Sequence, residues 1–246
     1  MSANEVAFSI ARHAAWAPGV TSSEQWDAWA QSPWHIAMGE EPKLAAMPAM
    51  LRRRAGFLGR MALEVAYDCI GGQQDVPTVF CSRHGEVARA IDLLTDLARG
   101  EPLSPTAFGL AVHNASAGLF SIARADRANH VALAGGTATV EHAVIEACGM
   151  LADGAPAVLL VACDAPLPAL LGQFEDCDEQ PWAFAWTMTP ATAGEGALRL
   201  SWQAGGIEED ASRMPGGLDV LRFQHGADAT LVRQAGALRW TWSRDA

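Results

Sequence analysis

Apolar and polar residues recur with two different periods along this chain, and each period predicts a different element. Residues 6–12 alternate between the two kinds, which is typical of a strand with one buried face. In residues 49–70 apolar side chains instead recur every three or four positions, which predicts a helix with one face in the core. That face consists of Leu51, Leu58, Met61, Val65 and Cys69.

The remaining chain alternates between short apolar runs and helical patterns. Further strands are predicted at residues 78–82, 131–134, 155–166, 182–190, 196–202 and 236–245. Further helices are predicted at residues 22–30 and 85–100, at the end of 104–124, and from the turn at 135–137 to 151. Strands and helices that alternate in this way predict a three-layer α/β/α domain with a mixed sheet. The continuous apolar run in 155–166 favours a central strand covered on both faces.

The segment 131–151 reads as a strand, a Gly-Gly turn and a helix, and Thr137 is the first residue after the two glycines. Many α/β enzymes hold a nucleophile at such a turn, because the free N–H groups of the helix stabilise a thiolate or an oxyanion. A threonine hydroxyl acts as a nucleophile only beside a base, and the sequence identifies none. We therefore expect Thr137 to be a helix N-cap or a packing residue.

Composition and charge limit the number of domains, the classes of binding partner and the cellular compartment that we expect. The chain has 246 residues, half of them hydrophobic, so we expect one domain that spans residues 1–246. A net charge of −11 argues against binding to nucleic acid or to an anionic membrane. The longest apolar stretch, residues 155–163, is too short to cross a bilayer, and the N-terminus does not resemble a signal peptide. We expect a cytoplasmic protein without membrane insertion.

The five cysteines are odd in number, widely spaced and free of CxxC pairs. This pattern predicts reduced thiols and no disulfide framework or zinc site. The Gly-Gly turn lacks the lysine of a P-loop and the third glycine of a dinucleotide-binding loop. No metal and no cofactor is therefore expected.

Several segments together carry a family resemblance: "FCSRHGEVARAIDLL", "SPTAFGLAVHNASAGLFSIA", the strand-turn-helix and "LADGAPAVLLVACDAP". They resemble the N-terminal half of β-ketoacyl synthases of the thiolase superfamily. The chain is most similar to the short synthase-like proteins found with aryl polyene and xanthomonadin-type pigment pathways. The resemblance implies a thiolase-like α/β/α fold, N-terminal half only, with a mixed five-stranded sheet and additional C-terminal strands.

The register of the resemblance locates the positions that matter for catalysis. Asn114, Ala117 and Gly118 match the start of the helix before the nucleophile strand, and counting on without a gap places the catalytic cysteine position at Thr137. The catalytic histidines of a synthase belong to its second half, whereas residues 203–246 contain one histidine, His225. The resemblance therefore implies a pseudo-ketosynthase, a non-catalytic subunit that resembles a chain length factor and associates with an active β-ketoacyl-ACP synthase.

The resemblance also implies an interface. The strand of Val131, Ala132, Leu133 and Ala134 would pair across the two-fold axis of a dimer. The segment of Thr106, Ala107 and Phe108 would approach the partner's acyl tunnel, and Asn114 and His142 belong to the same expected interface and tunnel group. A chain that lacks the second half of a synthase is expected to expose further apolar surface.

The only dense basic cluster consists of Arg52, Arg53 and Arg54. A solvated helix end is the favoured interpretation, and the functional alternative is a contact for an acidic acyl carrier protein. We expect the carrier protein to be reached indirectly, through the synthase.

Other reactive residues have structural interpretations. We expect His142 to be a hydrogen-bonded structural residue, and His84 to start a helix that Ser82 caps beside a tight turn at Gly85. The thiols in apolar runs, Cys148 and Cys163, should be inert. Two alternatives stay open: an independent acyltransferase or thioesterase that uses Thr137 or a cysteine, and a homodimeric acyl-binding protein.

Overall fold

The computed structural model describes residues 4–192, 196–205 and 212–244. The polar turn expected between the strands at 182–190 and 196–202 includes residues 193–195, and these lie outside the described residues. Asp245, at the end of the last predicted strand, also lies outside them.

Eight strands in the described part of the chain form one mixed sheet. In chain order they are β1 (Asn4–Trp16), β2 (Thr78–Cys81), β3 (His130–Leu133), β4 (Val158–Asp164), β5 (Trp182–Pro190), β6 (Leu198–Ala204), β7 (Thr230–Ala235) and β8 (Leu238–Arg244). Their spatial order is β3-β2-β4-β5-β1-β6-β8-β7. Strand β2 is parallel to β3 and β4, and the other neighbouring pairs are antiparallel. The first five strands in this order form the expected core sheet, and three C-terminal strands extend it.

Helices cover both faces of the sheet. They are α1 (Ser23–Gln31), α2 (Ala49–Arg52), α3 (Phe57–Ile70), α4 (Val87–Ala98), α5 (Pro105–Gly109), α6 (Ala115–Arg124), α7 (Thr139–Ala152) and α8 (Gly216–His225). One core contains side chains of α3 and α6 with Leu159 and Val161, and the opposite core contains side chains of α1, α7 and α8 with Val158 and Leu160. Because successive side chains of β4 enter opposite cores, the strand is apolar from Val158 to Cys163. The α/β/α layering predicted from the sequence is confirmed.

Several predicted boundaries are wrong in detail. Strand β1 extends four residues beyond Arg12, because it pairs with β5 as far as Trp16 after an irregularity between Ile10 and Arg12. The helix predicted over 49–70 is two helices, since the chain turns between Arg52 and Phe57 and Gly56 is the extended N-cap residue of α3. Helix α8 and strand β7 were not predicted.

Helix α7 is covered by the chain's own C-terminus. The ring of Trp240 in β8 meets His142 edge-on at a centroid distance of 5.2 Å, and the Trp242 indole N–H donates to Glu141 at 3.3 Å. Helix α8 also packs against α7. Residues of β8 and α8 therefore fold over α7.

Candidate functional site

The Gly-Gly turn, residues 135–138, connects β3 to α7 in one tight loop. Gly136 has a φ of 60°, a left-handed conformation that side chains other than glycine's rarely adopt. Thr139 closes the loop: its hydroxyl accepts from the Gly135 N–H at 3.0 Å and donates to the Gly136 carbonyl at 2.7 Å. This backbone geometry brings the next side chain, Thr137, to the surface.

Thr137 is exposed, so the expectation that it caps a helix or packs in the core is wrong. The N-cap residue of α7 is Ala138, and the hydroxyl that holds the turn belongs to Thr139, two residues later. In residues 4–192, 196–205 and 212–244, no side chain accepts a hydrogen bond from the Thr137 hydroxyl. His142, the nearest histidine in sequence, directs Nδ1 to the Ala138 carbonyl at 2.8 Å.

Beneath the turn lies a buried ion pair that the sequence analysis missed. Arg233 of β7 donates through Nη2 to the Thr137 carbonyl at 3.2 Å and pairs through Nη1 with Glu141. The Glu141 side chain is fully buried and Arg233 is 95% buried. Glu141 stands among the apolar residues of 139–151, and this was the available signal for a buried ion pair. The sequence does not show that its partner, Arg233, lies 92 residues away.

Strand β3 forms one end of the sheet. Among the strands of the described residues it pairs with β2 alone, so none of them lies along its other edge. Its residues Val131, Ala132 and Leu133 are half-buried, in contrast to the fully buried β4. Ala134, expected inside the strand, is exposed and lies one residue beyond it.

The segment expected to reach a partner's tunnel lies on the surface. Phe108 on α5 is 68% exposed and Thr106 is exposed, whereas Ala107 is half-buried. Other large apolar side chains exposed on α4 and around α5 are Leu94, Leu97, Leu103 and Val112. An exposed apolar group of this kind is typical of a protein interface.

A histidine connects this segment to the end of β3. His113, just before the exposed Asn114, directs Nε2 to the Leu133 carbonyl at 3.0 Å. The same ring lies so close to Gly85 that a Cβ there would be 2.5 Å from Nδ1. The segment that carries Phe108 is thus connected to the C-terminal end of β3.

A buried carboxylate joins the ends of β2 and β4. Asp164 Oδ1 accepts from the Ser82 hydroxyl at 2.8 Å and from the Arg83 N–H at 2.9 Å. Burial raises the pKa of Asp164 to about 7, although these hydrogen bonds and the Arg83 charge act to lower it. The Ser82 hydroxyl also accepts from the Gly85 N–H at 2.8 Å, so it caps the turn and not the helix, which begins at Val87.

The thiols lie in environments that oppose ionisation. Burial raises the pKa of Cys148 to about 12 and that of Cys163 well above its ordinary range. Cys177 contacts the Arg83 guanidinium at 3.0 Å, yet burial still raises its pKa to about 11. A protonated thiol is a poor nucleophile, which agrees with the expected inertness of Cys148 and Cys163.

The arginine cluster is partly exposed. Arg53 and Arg54 are exposed, whereas Arg52 is half-buried and donates to the Leu44 carbonyl at 3.3 Å. That contact places the cluster beside the exposed Lys43.

No helix in the described ranges is long and apolar enough to span a membrane. The same residues contain no group of three or more His, Cys, Asp or Glu side chains that could hold a metal ion.

Comparison with known proteins places this geometry in a family. The N-terminal domain model of β-ketoacyl synthases matches residues 26–243. A solved complex from Xenorhabdus doucetiae, a ketosynthase (ApeO) with its chain length factor (ApeC), contains a similar chain with a TM-score of 0.86 and 26% identity. That match covers 97% of this chain and 100% of the other.

More distant structures share the fold. The ishigamide ketosynthase/chain length factor matches with a TM-score of 0.62 and 15% identity, over 81% of this chain and 68% of the other. A β-ketoacyl synthase from Burkholderia phymatum matches with a TM-score of 0.64 and 11% identity, over 91% of this chain and 70% of the other. No protein with a curated description matches significantly. Because the family model matches most of its length, the chain belongs to the β-ketoacyl synthase N-terminal domain family.

Proposed function

We propose that this chain is the non-catalytic, chain-length-factor-like partner of an active β-ketoacyl-ACP synthase. The pathway class is aryl polyene or related polyketide and fatty-acid-type biosynthesis, and the compartment is the cytoplasm. The observation that carries the proposal is the match over the full length of a chain in a ketosynthase and chain length factor complex. Thr137 supports the absence of catalysis, since its exposed hydroxyl stands at the expected nucleophile position without a hydrogen-bonded base among the described residues.

The interface of the proposed heterodimer is the β3 edge together with the exposed apolar side chains around α5. An open strand edge favours pairing with a second strand, and the small side chains of Ala132 and Ala134 let another backbone approach closely. Phe108 is exposed on the same part of the chain, where it can reach into a partner. In this arrangement Phe108 shapes the acyl tunnel from across the interface.

The acyl carrier protein docks mainly on the synthase in this proposal. Carrier proteins are acidic and this chain carries a net charge of −11, so long-range repulsion opposes their encounter. The basic surface at Arg52, Arg53 and Arg54 then contributes a secondary contact.

Co-purification with a β-ketoacyl-ACP synthase from the same organism tests the proposal. The chain is expressed alone and with that synthase, and the complex is identified by its mass in solution. A stable hetero-oligomer supports the proposal. A homodimer that ignores the synthase favours an acyl-binding protein, and release of carrier thiol by the isolated chain favours an acyltransferase or thioesterase; either result overturns it.

A further inference from the structure

The geometry of Arg233 assigns it a role beyond the stability of the C-terminal strands. We infer that Arg233 is a positioning residue, which reaches from β7 to the Gly-Gly turn and holds that turn in the shape that the partner synthase contacts. The inference rests on the proposed function, because it concerns the turn that directly follows the β3 edge.

Arg233 contacts the turn and the two helices beside it. Nη2 donates to the Thr137 carbonyl at 3.2 Å, Nη1 pairs with Glu141, and Nε lies 3.6 Å from Asp219 Oδ2. A planar guanidinium presents its donors in a fixed fork, so the two carboxylates orient the donor that binds the carbonyl. The turn, the first part of α7 and α8 are thereby joined by one side chain.

The space around Arg233 leaves little freedom for another arrangement. A Cβ added to Gly216 would lie 2.0 Å from Nη2, so a side chain there would displace the guanidinium. The Glu141 carboxylate is itself fixed by the Trp242 indole at 3.3 Å. The guanidinium therefore stays beneath the turn. Moving it away would also leave the buried Glu141 carboxylate without its counter-charge.

Inside the turn, the Thr139 hydroxyl binds Gly135 and Gly136, and the Ala138 N–H donates to the Gly135 carbonyl at 3.2 Å. The carbonyl of Thr137 points the other way, to Arg233. Glycine gives this loop a large conformational freedom, which has to be removed before a partner can bind a single shape. Arg233 supplies that restraint from the folded C-terminus.

The test compares Arg233→Lys with Arg244→Lys. Lysine keeps a positive charge near Glu141, but its single nitrogen cannot occupy the three positions from which Nε, Nη1 and Nη2 contact the two carboxylates and the carbonyl. Arg244 is a matched control on β8, since its guanidinium also binds backbone carbonyls, those of Phe223 and Gln224 at the end of α8. Each variant is assayed for synthase affinity and for amide hydrogen exchange at residues 135–139.

We expect Arg233→Lys to raise exchange in the turn and to weaken synthase binding about tenfold, the loss of one charge-assisted hydrogen bond. Arg244→Lys is expected to leave both measurements unchanged. Wild-type exchange and affinity in Arg233→Lys, or equal losses in both variants, overturn the inference. If the wild-type chain does not bind the synthase, the proposed function fails, while the exchange measurement still decides whether Arg233 restrains the turn.

Discussion

Ser82 donates a hydrogen bond to Asp164 across 82 residues of sequence, and this 2.8 Å contact joins the ends of two parallel strands in a buried environment. Burial raises the pKa of Asp164 to about 7, whereas a carboxyl in the unfolded chain titrates near 3.8. Between these values the folded state binds more protons than the unfolded state. The Asp164 contribution to the free energy of unfolding therefore falls as the pH rises from about 4 to 7.

Asp164→Asn removes this dependence, because an amide oxygen accepts the same hydrogen bonds without a charge. Each pKa unit corresponds to about 1.4 kcal/mol. When the pH rises from 5 to 8, we therefore expect the free energy of unfolding of the wild type to fall by more than about 1 kcal/mol relative to that of the variant. Denaturant unfolding at both pH values measures this difference. The variant is compared with the wild type because His13 adds its own pH dependence in both proteins. Burial lowers the pKa of His13, so its contribution to the free energy of unfolding rises with pH, opposite to that of Asp164. Asp92→Asn, on the exposed side of α4, is the control, and parallel pH profiles of Asp164→Asn and the wild type would contradict the prediction.

Thr137→Ala tests whether the turn retains any chemistry. The Thr137 hydroxyl is exposed and binds no base among the described side chains, so we expect the assembled complex to keep its activity within a few-fold. The isolated chain should neither condense nor hydrolyse acyl thioesters. A burst of carrier thiol from the isolated wild-type chain, lost in Thr137→Ala, would show that the hydroxyl is a nucleophile.

Charges on the β3 edge should prevent association. Ala132→Asp and Ala134→Arg place an unpaired charge in a contact that becomes buried, which costs several kcal/mol, so synthase affinity should fall by about a hundredfold or more. Soluble yield should also decrease because the edge stays uncovered. Size-exclusion chromatography with the synthase measures the association, and Ala28→Asp on the exposed face of α1 serves as a control for added charge. Unchanged co-elution of both edge variants would exclude this edge as the interface.

Phe108→Ala should separate tunnel shape from association. Phe108 is one of several exposed apolar side chains, so its loss leaves most of the interface in place, whereas the tunnel loses a large ring. We expect heterodimer formation to stay close to wild type and the distribution of product chain lengths to change. Mass spectrometry of the products measures the change, and an identical profile removes Phe108 from the tunnel.

Replacement of Arg52, Arg53 and Arg54 by Ser tests the docking face for the carrier protein. Since the synthase is expected to supply the main contact, carrier affinity of the complex should fall only a few-fold, with a weaker dependence on salt. Binding is measured on the intact heterodimer at low and physiological salt. Complete loss of carrier binding with an intact heterodimer would move the docking face to this subunit.

The sequence by itself determined the layers of the fold, because the period of apolar residues depends only on local geometry. The apolar run of β4, for example, follows from burial on both faces. The pattern could not place α8 and β7, since both mix buried and polar side chains over short lengths.

Only the tertiary structure decided what surrounds the Gly-Gly turn. The sequence predicted a cap or packing role for Thr137, whereas the structure brings the hydroxyl of Thr139, two residues later, into the turn. The contact of Arg233 with Glu141 joins residues 92 positions apart, and no local period reports such a pair. A long-range ion pair depends on the path of the whole chain, and that path is decided by the packing of the sheet and not by any one segment.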